Sequence, residues 1–319
     1  MDIKQAYRKN SEVFIVYAVL VVVLIVGGVS SEYFMTLPNM GNILEQATAL
    51  GIVSIGHMLV IMLAGIDLST GAIVSMSTAI LSVTFVDSPW GILIGILIVL
   101  GVSFGIGLFN GIGVTKLRLP PFIMTLATLS IVNGIALKVR PSPGGSVPLE
   151  FMEFLNGRFG IVPHAIILWA VIAVVVWYVL KYKRFGRDIY AVGGNENAAE
   201  LSGISVQKTK IKAYILCSML AGVGGIYLSA RMGTGDTSLG KMFGTDSITV
   251  CVLGGVSMSG GRGNIIGLFA ATFVLCMLSN ILNMVGVASY YQYLLKGIIL
   301  IVTVLIFSLK DMRNKERTF

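Results

Sequence analysis

Two carboxylates stand alone in long apolar stretches: Asp67, in GIDLSTG (65–71), and Asp246, in GTDSITVCVLGG (244–255). An ionisable residue at membrane depth is a functional candidate by default. Each aspartate has a second use as a helix cap, Asp67 for a helix beginning near Ser69 and Asp246 for one beginning near Ile248. Asn110, Asn133, Asn280 and Asn283 are neutral and carry both donors and acceptors. They suit a polyhydroxylated neutral solute, and they suit plain interhelical hydrogen bonding equally well. The candidate lining of a solute path is therefore Asp67, Ser69, Asn110, Asn133, Asp246 and Ser257.

Other chemistries find no footing. No nucleophile–base pair suggests catalysis. His57 and His164 are isolated and offer no metal-ligand spacing, and Cys217, Cys251 and Cys276 lie in apolar segments with no C-x-x-C pairing. The P-loop pattern G-x-x-x-x-G-K-[ST] is absent, and GGRGN (260–264) lacks its lysine and its spacing. No relay of carboxylates and histidines crosses the chain, which disfavours a proton-driven carrier. An arginine-rich voltage sensor and a TVGYG filter are missing too. No catalytic residue, cofactor or metal is expected here.

The elements that must position these residues are membrane spans. Of 319 residues, 55% are hydrophobic and 12% charged, with mean hydropathy +0.89; a soluble domain carries roughly 25% charge. A span needs about 20 apolar residues. The clear candidates are 13–29, 91–114, 120–139, 162–180, 211–230 and 293–309; 47–64, 70–86, 247–259 and 264–285 bring the total to ten. The first is expected to be a retained span, because no small-residue cleavage site follows it. The net charge of +8 sits in short loops and at the termini, which is the positive-inside pattern of a membrane protein and not a nucleic-acid surface. Lys4, Arg8 and Lys9, Lys116 and Arg118, the basic residues of 181–187 and 208–212, and Lys310, Arg313, Lys315 and Arg317 all fall inside if both termini are cytoplasmic. Lys138 and Arg140 are the exception, next to the long exterior loop 141–161. The expectation is an all-α integral membrane protein with one polytopic domain over 1–319.

Glycine interrupts two of these spans, at 65–71 and 254–263, and irregular backbone at membrane depth survives only against protein or a water-filled cavity. GIDLSTG (65–71) and GVSMSGG (255–261) also echo each other, as a parallel internal repeat would. The strongest basic loop, about 181–212, holds YAVGGNENAAELSGISV (190–206). There GGN makes a turn, Asn195 caps a helix, Glu196 sits at the positive end of the dipole and Gly203 supplies a left-handed stop. A two-turn helix is unstable alone in water. It needs a partner surface, either its own membrane domain or another protein.

GIDLSTG (65–71), KLRLPPFIMTLATLSIVNGIA (116–136), GRDIYAVGGNENAAELSGISV (186–206) and CVLGGVSMSGGRGNIIG (251–267) together resemble, in order, the motifs of ABC importer permeases of the ribose/sugar branch. The resemblance spans nearly the whole chain. It implies a separate cytoplasmic ATPase that uses the ATP and docks around a coupling helix on each of two permease chains. It also implies an extracytoplasmic sugar-binding protein, and a multi-pass location in the bacterial cytoplasmic membrane among lipid. The implied coupling contacts map to Gly194, Asn195, Asn197, Ala198, Ala199, Leu201, Gly203 and Ile204. Ribose-type members commonly read acidic-Leu-Asp-Ala-Ile-Ala before the second break; here Asp246 and Ile248 are kept, whereas Gly244 and Thr249 differ. A hexose, another pentose, a sugar alcohol or a sugar-like signal thus stands beside ribose. The competing readings are a self-sufficient secondary transporter or channel for a small polar solute, and a non-transporting membrane scaffold or sensor.

Overall fold

Each apolar segment of the sequence becomes a helix in the computed structural model, which describes residues 11–84, 89–160 and 162–316. In chain order these are α1 (Ser11–Ser30), α2 (Leu37–Ile61), α3 (Thr70–Thr84), α4 (Pro89–Thr115), α5 (Pro121–Val139) and the short α6 (Leu149–Asn156). A two-residue antiparallel hairpin follows, β1 (Arg158–Phe159) against β2 (Val162–Pro163), with Arg158 opposite Pro163. Next come α7 (His164–Tyr182), α8 (Arg184–Gly194), α9 (Glu196–Leu201), α10 (Val206–Met232), α11 (Phe243–Leu253), α12 (Ile265–Met284) and α13 (Ser289–Glu316). Among the described residues, seven helices are long and apolar enough to cross a membrane: α1, α2, α4, α5, α7, α10 and α12. The helices α3 and α11 and the stretch Ser289–Leu305 are apolar but shorter. The chain is an all-helical membrane protein. Lys4, Arg8, Lys9 and Arg317, used above for orientation, lie outside the described residues, as do residues 85–86 of the apolar segment 70–86 and the side chains of Lys310, Arg313 and Lys315.

One boundary differs by a large margin. The span expected at 47–64 begins at Leu37, with Pro38 in the first turn, where its missing N–H has no helical partner to lose. Asn39, Asn42, Glu45 and Gln46 lower the hydropathy of that end, although each has a tertiary partner or faces a cleft.

The helices sort into an inner and an outer set. In α2, α10 and α12, 83%, 72% and 67% of the apolar window is buried; in α1, α4, α7 and α5 only 11%, 22%, 22% and 28% is, so the latter present their apolar surface outward, as lipid contact requires. The central α10 packs on α4, α2 and α3. Small residues permit this: a Cβ added to Gly107 or Gly111 of α4 would lie 2.6 and 2.8 Å from Ile215 and Ile211 Cα of α10. On the other side of α2, the buried Trp169 of α7 stacks on Phe269 of α12 with ring centroids 4.0 Å apart.

Arg140 has a structural reason for standing apart from the charge pattern. Its guanidinium donates to Ser82 Oγ (3.0 Å) and to the Ser82 carbonyl (2.9 Å), satisfying the C-terminal end of α3. Hydrogen bonds from a charged donor are worth about 1.5–3 kcal/mol. Arg140→Leu is therefore expected to lower the midpoint of thermal unfolding in detergent by several degrees, read by intrinsic fluorescence, whereas Lys138→Leu, at an exposed position, leaves it unchanged. The described part of the loop 141–161, residues 141–160, is folded onto the same end of the bundle: Gly144 pairs with Gly235, and Asn156 Nδ2 donates to the Ala230 carbonyl at 2.9 Å.

Candidate functional site

Both glycine breaks are closed helix ends. After α2, Ala64 takes a left-handed conformation (φ 54°), with Gly65 N–H bonded to the Val60 carbonyl and Ala64 N–H to that of Ile61. After α11, Gly255 (φ 86°) does the same, with Val256 N–H on Cys251 and Gly255 N–H on Val252. Both are Schellman terminations, but the left-handed residue is Ala64, one position before Gly65, in the first and Gly255 itself in the second, so the sequence echo is not matched residue by residue.

From α5 through the first break to α11 runs a buried polar relay. Thr128 Oγ1 of α5 donates to Asn110 Oδ1 of α4 (2.6 Å), and Asn110 Nδ2 donates to Ser69 Oγ (2.9 Å). Ser69 donates to Asp67 Oδ1 through its hydroxyl (2.5 Å) and its N–H (3.0 Å). Asp67 N–H in turn donates to His57 Nε2 (3.3 Å), and His57 Nδ1 meets Ser247 Oγ of α11 at 2.9 Å. Because Nε2 accepts and Ser247 spends its own proton on the Gly244 carbonyl, Nδ1 carries the hydrogen. His57, Asp67, Ser69, Asn110 and Ser247 have no exposed surface. Asp67 thus orders the residues just ahead of α3 by an Asx turn, close to the capping role expected for it.

Asp246 does not cap. Helix α11 begins at Phe243 with Met242 in the cap position, so Asp246 lies inside its first turn. Its Oδ2 accepts from Lys296 Nζ of α13 at 2.7 Å. The pair lines a cleft of about 310 Å³ between α2, α10, α11, α12 and α13, with Gln46, Arg231 and Gln292 beside it and Leu50, Leu228 and Phe243 as apolar walls. Of the six path candidates, three join the relay (Asp67, Ser69, Asn110) and Asp246 lines the cleft. Ser257 sits in the second break with a buried hydroxyl that has no hydrogen-bond partner among the described residues, and Asn133 is half-buried on α5, apart from both. Asn280 forms a reciprocal amide pair with Asn39 (2.8 and 3.1 Å), which is interhelical bonding between α12 and α2.

The small loop helix is α9. Asn195 Oδ1 accepts from Ala198 N–H at 3.0 Å, and the helix closes on Gly203 (φ 78°), with Ile204 N–H on Ala199 and Gly203 N–H on Glu200. Glu196 is paired with Lys210 of α10. Ala199 and Ile204 turn into the chain's own core. Gly194, Asn195, Asn197, Ala198 and Gly203 are exposed, and Leu201 is 91% exposed.

Sequence reasoning missed the joint that ties α8 and α9 to the breaks. Gly261 N–H donates to the Met62 carbonyl at 2.9 Å, and α8 ends against both residues at Gly193. A Cβ on Gly193 would collide with the Met62 carbonyl oxygen, and one on Gly260 (φ 85°) would lie 2.6 Å from the Gly193 oxygen. Tyr190 Oη donates to the Gly263 carbonyl at 3.4 Å; burial pushes its phenol up, so it remains a neutral donor.

A family model for the permease component of branched-chain amino acid transport systems matches residues 39–304. The chain belongs to this family. It is 36% identical over 296 residues to the ribose import permease protein RbsC of Escherichia coli (strain K12), covering 91% of each chain. It is 34% identical over 329 residues to the galactose/methyl galactoside import permease protein MglC of the same strain (97% of each), and 34% identical over 294 residues to its D-allose transport system permease protein AlsC (90% and 89%). No solved structure matches the chain. The relay, the cleft and the exposed α9 share one frame: the relay ties the outer α4 and α5 to α2 and α11, the cleft lies between α2, α10, α11, α12 and α13, and α8, which leads into α9, meets the two breaks through backbone contacts at Gly193 and Gly261.

Proposed function

We propose that the chain is the membrane-spanning subunit of an ATP-driven importer for a sugar or sugar-like solute in the bacterial cytoplasmic membrane. Its ten apolar helices form one permease domain with both termini in the cytoplasm, and it pairs with a second permease chain. A cytoplasmic ATPase binds and hydrolyses the ATP, so this subunit is not itself an enzyme, and an extracytoplasmic binding protein delivers the solute. The observation that carries this reading is α9: capped at both ends, anchored inward by Ala199 and Ile204, yet offering Ala198 and a 91% exposed Leu201 to an outside surface. Small side chains beside one projecting leucine suit insertion into a groove of a partner protein.

The test is co-purification from detergent-solubilised membranes. Wild type is expected to bring down an ATPase, while Ala198→Trp and Leu201→Asp lower its recovery at least about tenfold, the loss of one well-packed contact being worth roughly 1.4 kcal/mol or more. Both positions are exposed, so permease yield is expected to hold. Equal ATPase recovery from all three would place the docking site elsewhere. Solute uptake that persists without any ATPase and collapses with an uncoupler would overturn the reading in favour of a secondary transporter.

A further inference from the structure

The family description speaks of amino acids and the relatives' names speak of sugars, and the cleft between α2, α10, α11, α12 and α13 discriminates between them. We infer that this cleft is a solute-recognition site for an uncharged, polyhydroxylated ring, read by Asp246, Lys296, Gln292, Gln46 and Arg231; the inference rests on the importer reading above.

Charge is the first argument. Lys296 is already paired with Asp246 (2.7 Å), and Arg231 donates to Asn42 Oδ1 (2.7 Å) with Glu45 3.7 Å from its Nε. An amino-acid zwitterion needs an uncompensated anion for its ammonium, and the charge of Asp246, the one carboxylate among the described lining residues, is already balanced by Lys296. A neutral solute leaves both pairs in place.

Hydrogen-bonding capacity is the second. Among the described residues nothing engages the acceptors Asp246 Oδ1, Gln46 Oε1 and Gln292 Oε1; the contacts of these residues run through Asp246 Oδ2, Gln46 Nε2 and Gln292 Nε2. Lys296 and Arg231 retain further N–H donors. Alternating donors and acceptors match hydroxyl groups, each of which both gives and takes a hydrogen bond. Leu50, Leu228 and Phe243, which also line the cleft, supply apolar surface against which the C–H face of a sugar ring packs. The volume, about 310 Å³, is at the small end of ligand pockets, which run from roughly 300 to 1,000 Å³.

The experiment is uptake of radiolabelled ribose, galactose, allose and leucine by cells expressing the full transporter, with ATPase co-purification as a parallel readout. Wild type is expected to import at least one of the sugars and not leucine. Lys296→Gln leaves the Asp246 charge unpaired and is expected to lower uptake about thirtyfold or more, as truncating one partner of a buried pair does. The double variant Asp246→Asn/Lys296→Gln removes both charges and should recover part of that loss. Gln292→Ala should raise KM and reorder the three sugars, which a purely structural side chain would not do. Leucine uptake, no uptake of any of the four, or wild-type KM and sugar ranking in both Lys296→Gln and Gln292→Ala would overturn the site. Absence of an ATPase from the wild-type preparation would instead overturn the importer reading on which it rests.

Discussion

Replacing Gly193 by valine is expected to abolish import while the ATPase remains attached. Three backbones meet at this residue: the end of α8, the end of α2 at Met62, and the second break at Gly261. A methyl group on Gly193 already overlaps the Met62 carbonyl oxygen and lies 2.6 Å from Gly261 N, and backbone cannot yield as the tip of a flexible side chain can. The only relief is to lift α8 off the breaks. On the docking proposed above, the surface that α9 offers to the ATPase is made by other residues and survives, but motion imposed on α9 no longer reaches Met62 or α11, whose far end carries Asp246 into the cleft. The signature is ATP hydrolysis without solute accumulation in reconstituted vesicles, with uptake down by well over about tenfold, since overpacking of this kind costs about 1–3 kcal/mol or more. Gly260→Ala should act in the same direction. Gly194→Ala, one residue away, places its methyl in open space and is expected to retain uptake. Loss of uptake in the Gly194 variant with normal uptake in the Gly193 variant would show that force passes through α9 contacts alone.

What could be read from the chain and what could not divides along sequence distance. The caps of α9 are local: Asn195 and Ala198 are three residues apart, and the Gly203 stop is one residue in a left-handed conformation, so residue types alone marked them. The breaks were legible for the same reason. Long-range pairing was not. Asp246 resembles a cap when only its neighbours are known, and its true partner, Lys296, lies 50 residues on, within what read as the last apolar span. The polar first turns of α2 hid a helix because Asn42 and Glu45 answer to Arg231 and Arg158 far away in the chain. Likewise the meeting of Gly193 with Gly261 and Met62 depends on three segments, none of which carries a signal of the other two.

His57 is the clearest such residue, and its removal is the second large effect expected. A lone histidine in an apolar helix has no spacing partner, and its two contacts come from 10 and 190 residues away. In place it holds the first break to α11: Nε2 takes the Asp67 N–H, and Nδ1–H gives to Ser247, so both nitrogens are used and the ring stays neutral. His57→Leu keeps the volume but leaves the Asp67 N–H buried and unpaired, at a cost of about 1–3 kcal/mol, while Ser247 keeps its bond to Gly244. The relay through Ser69, Asn110 and Thr128 then loses its anchor on α11. Thermal unfolding in detergent should fall by several degrees and uptake by about tenfold or more, with ATPase co-purification unchanged because α9 is untouched. His57→Gln separates the two halves of the argument, since its Oε1 can still accept from Asp67 N–H but its amide reaches Ser247 less well. Recovery of stability without recovery of uptake would assign the Asp67 bond to folding and the Ser247 bond to coordination of the two breaks during transport. Wild-type uptake in His57→Leu would mean that the breaks move independently and are joined only at Gly261 and Met62.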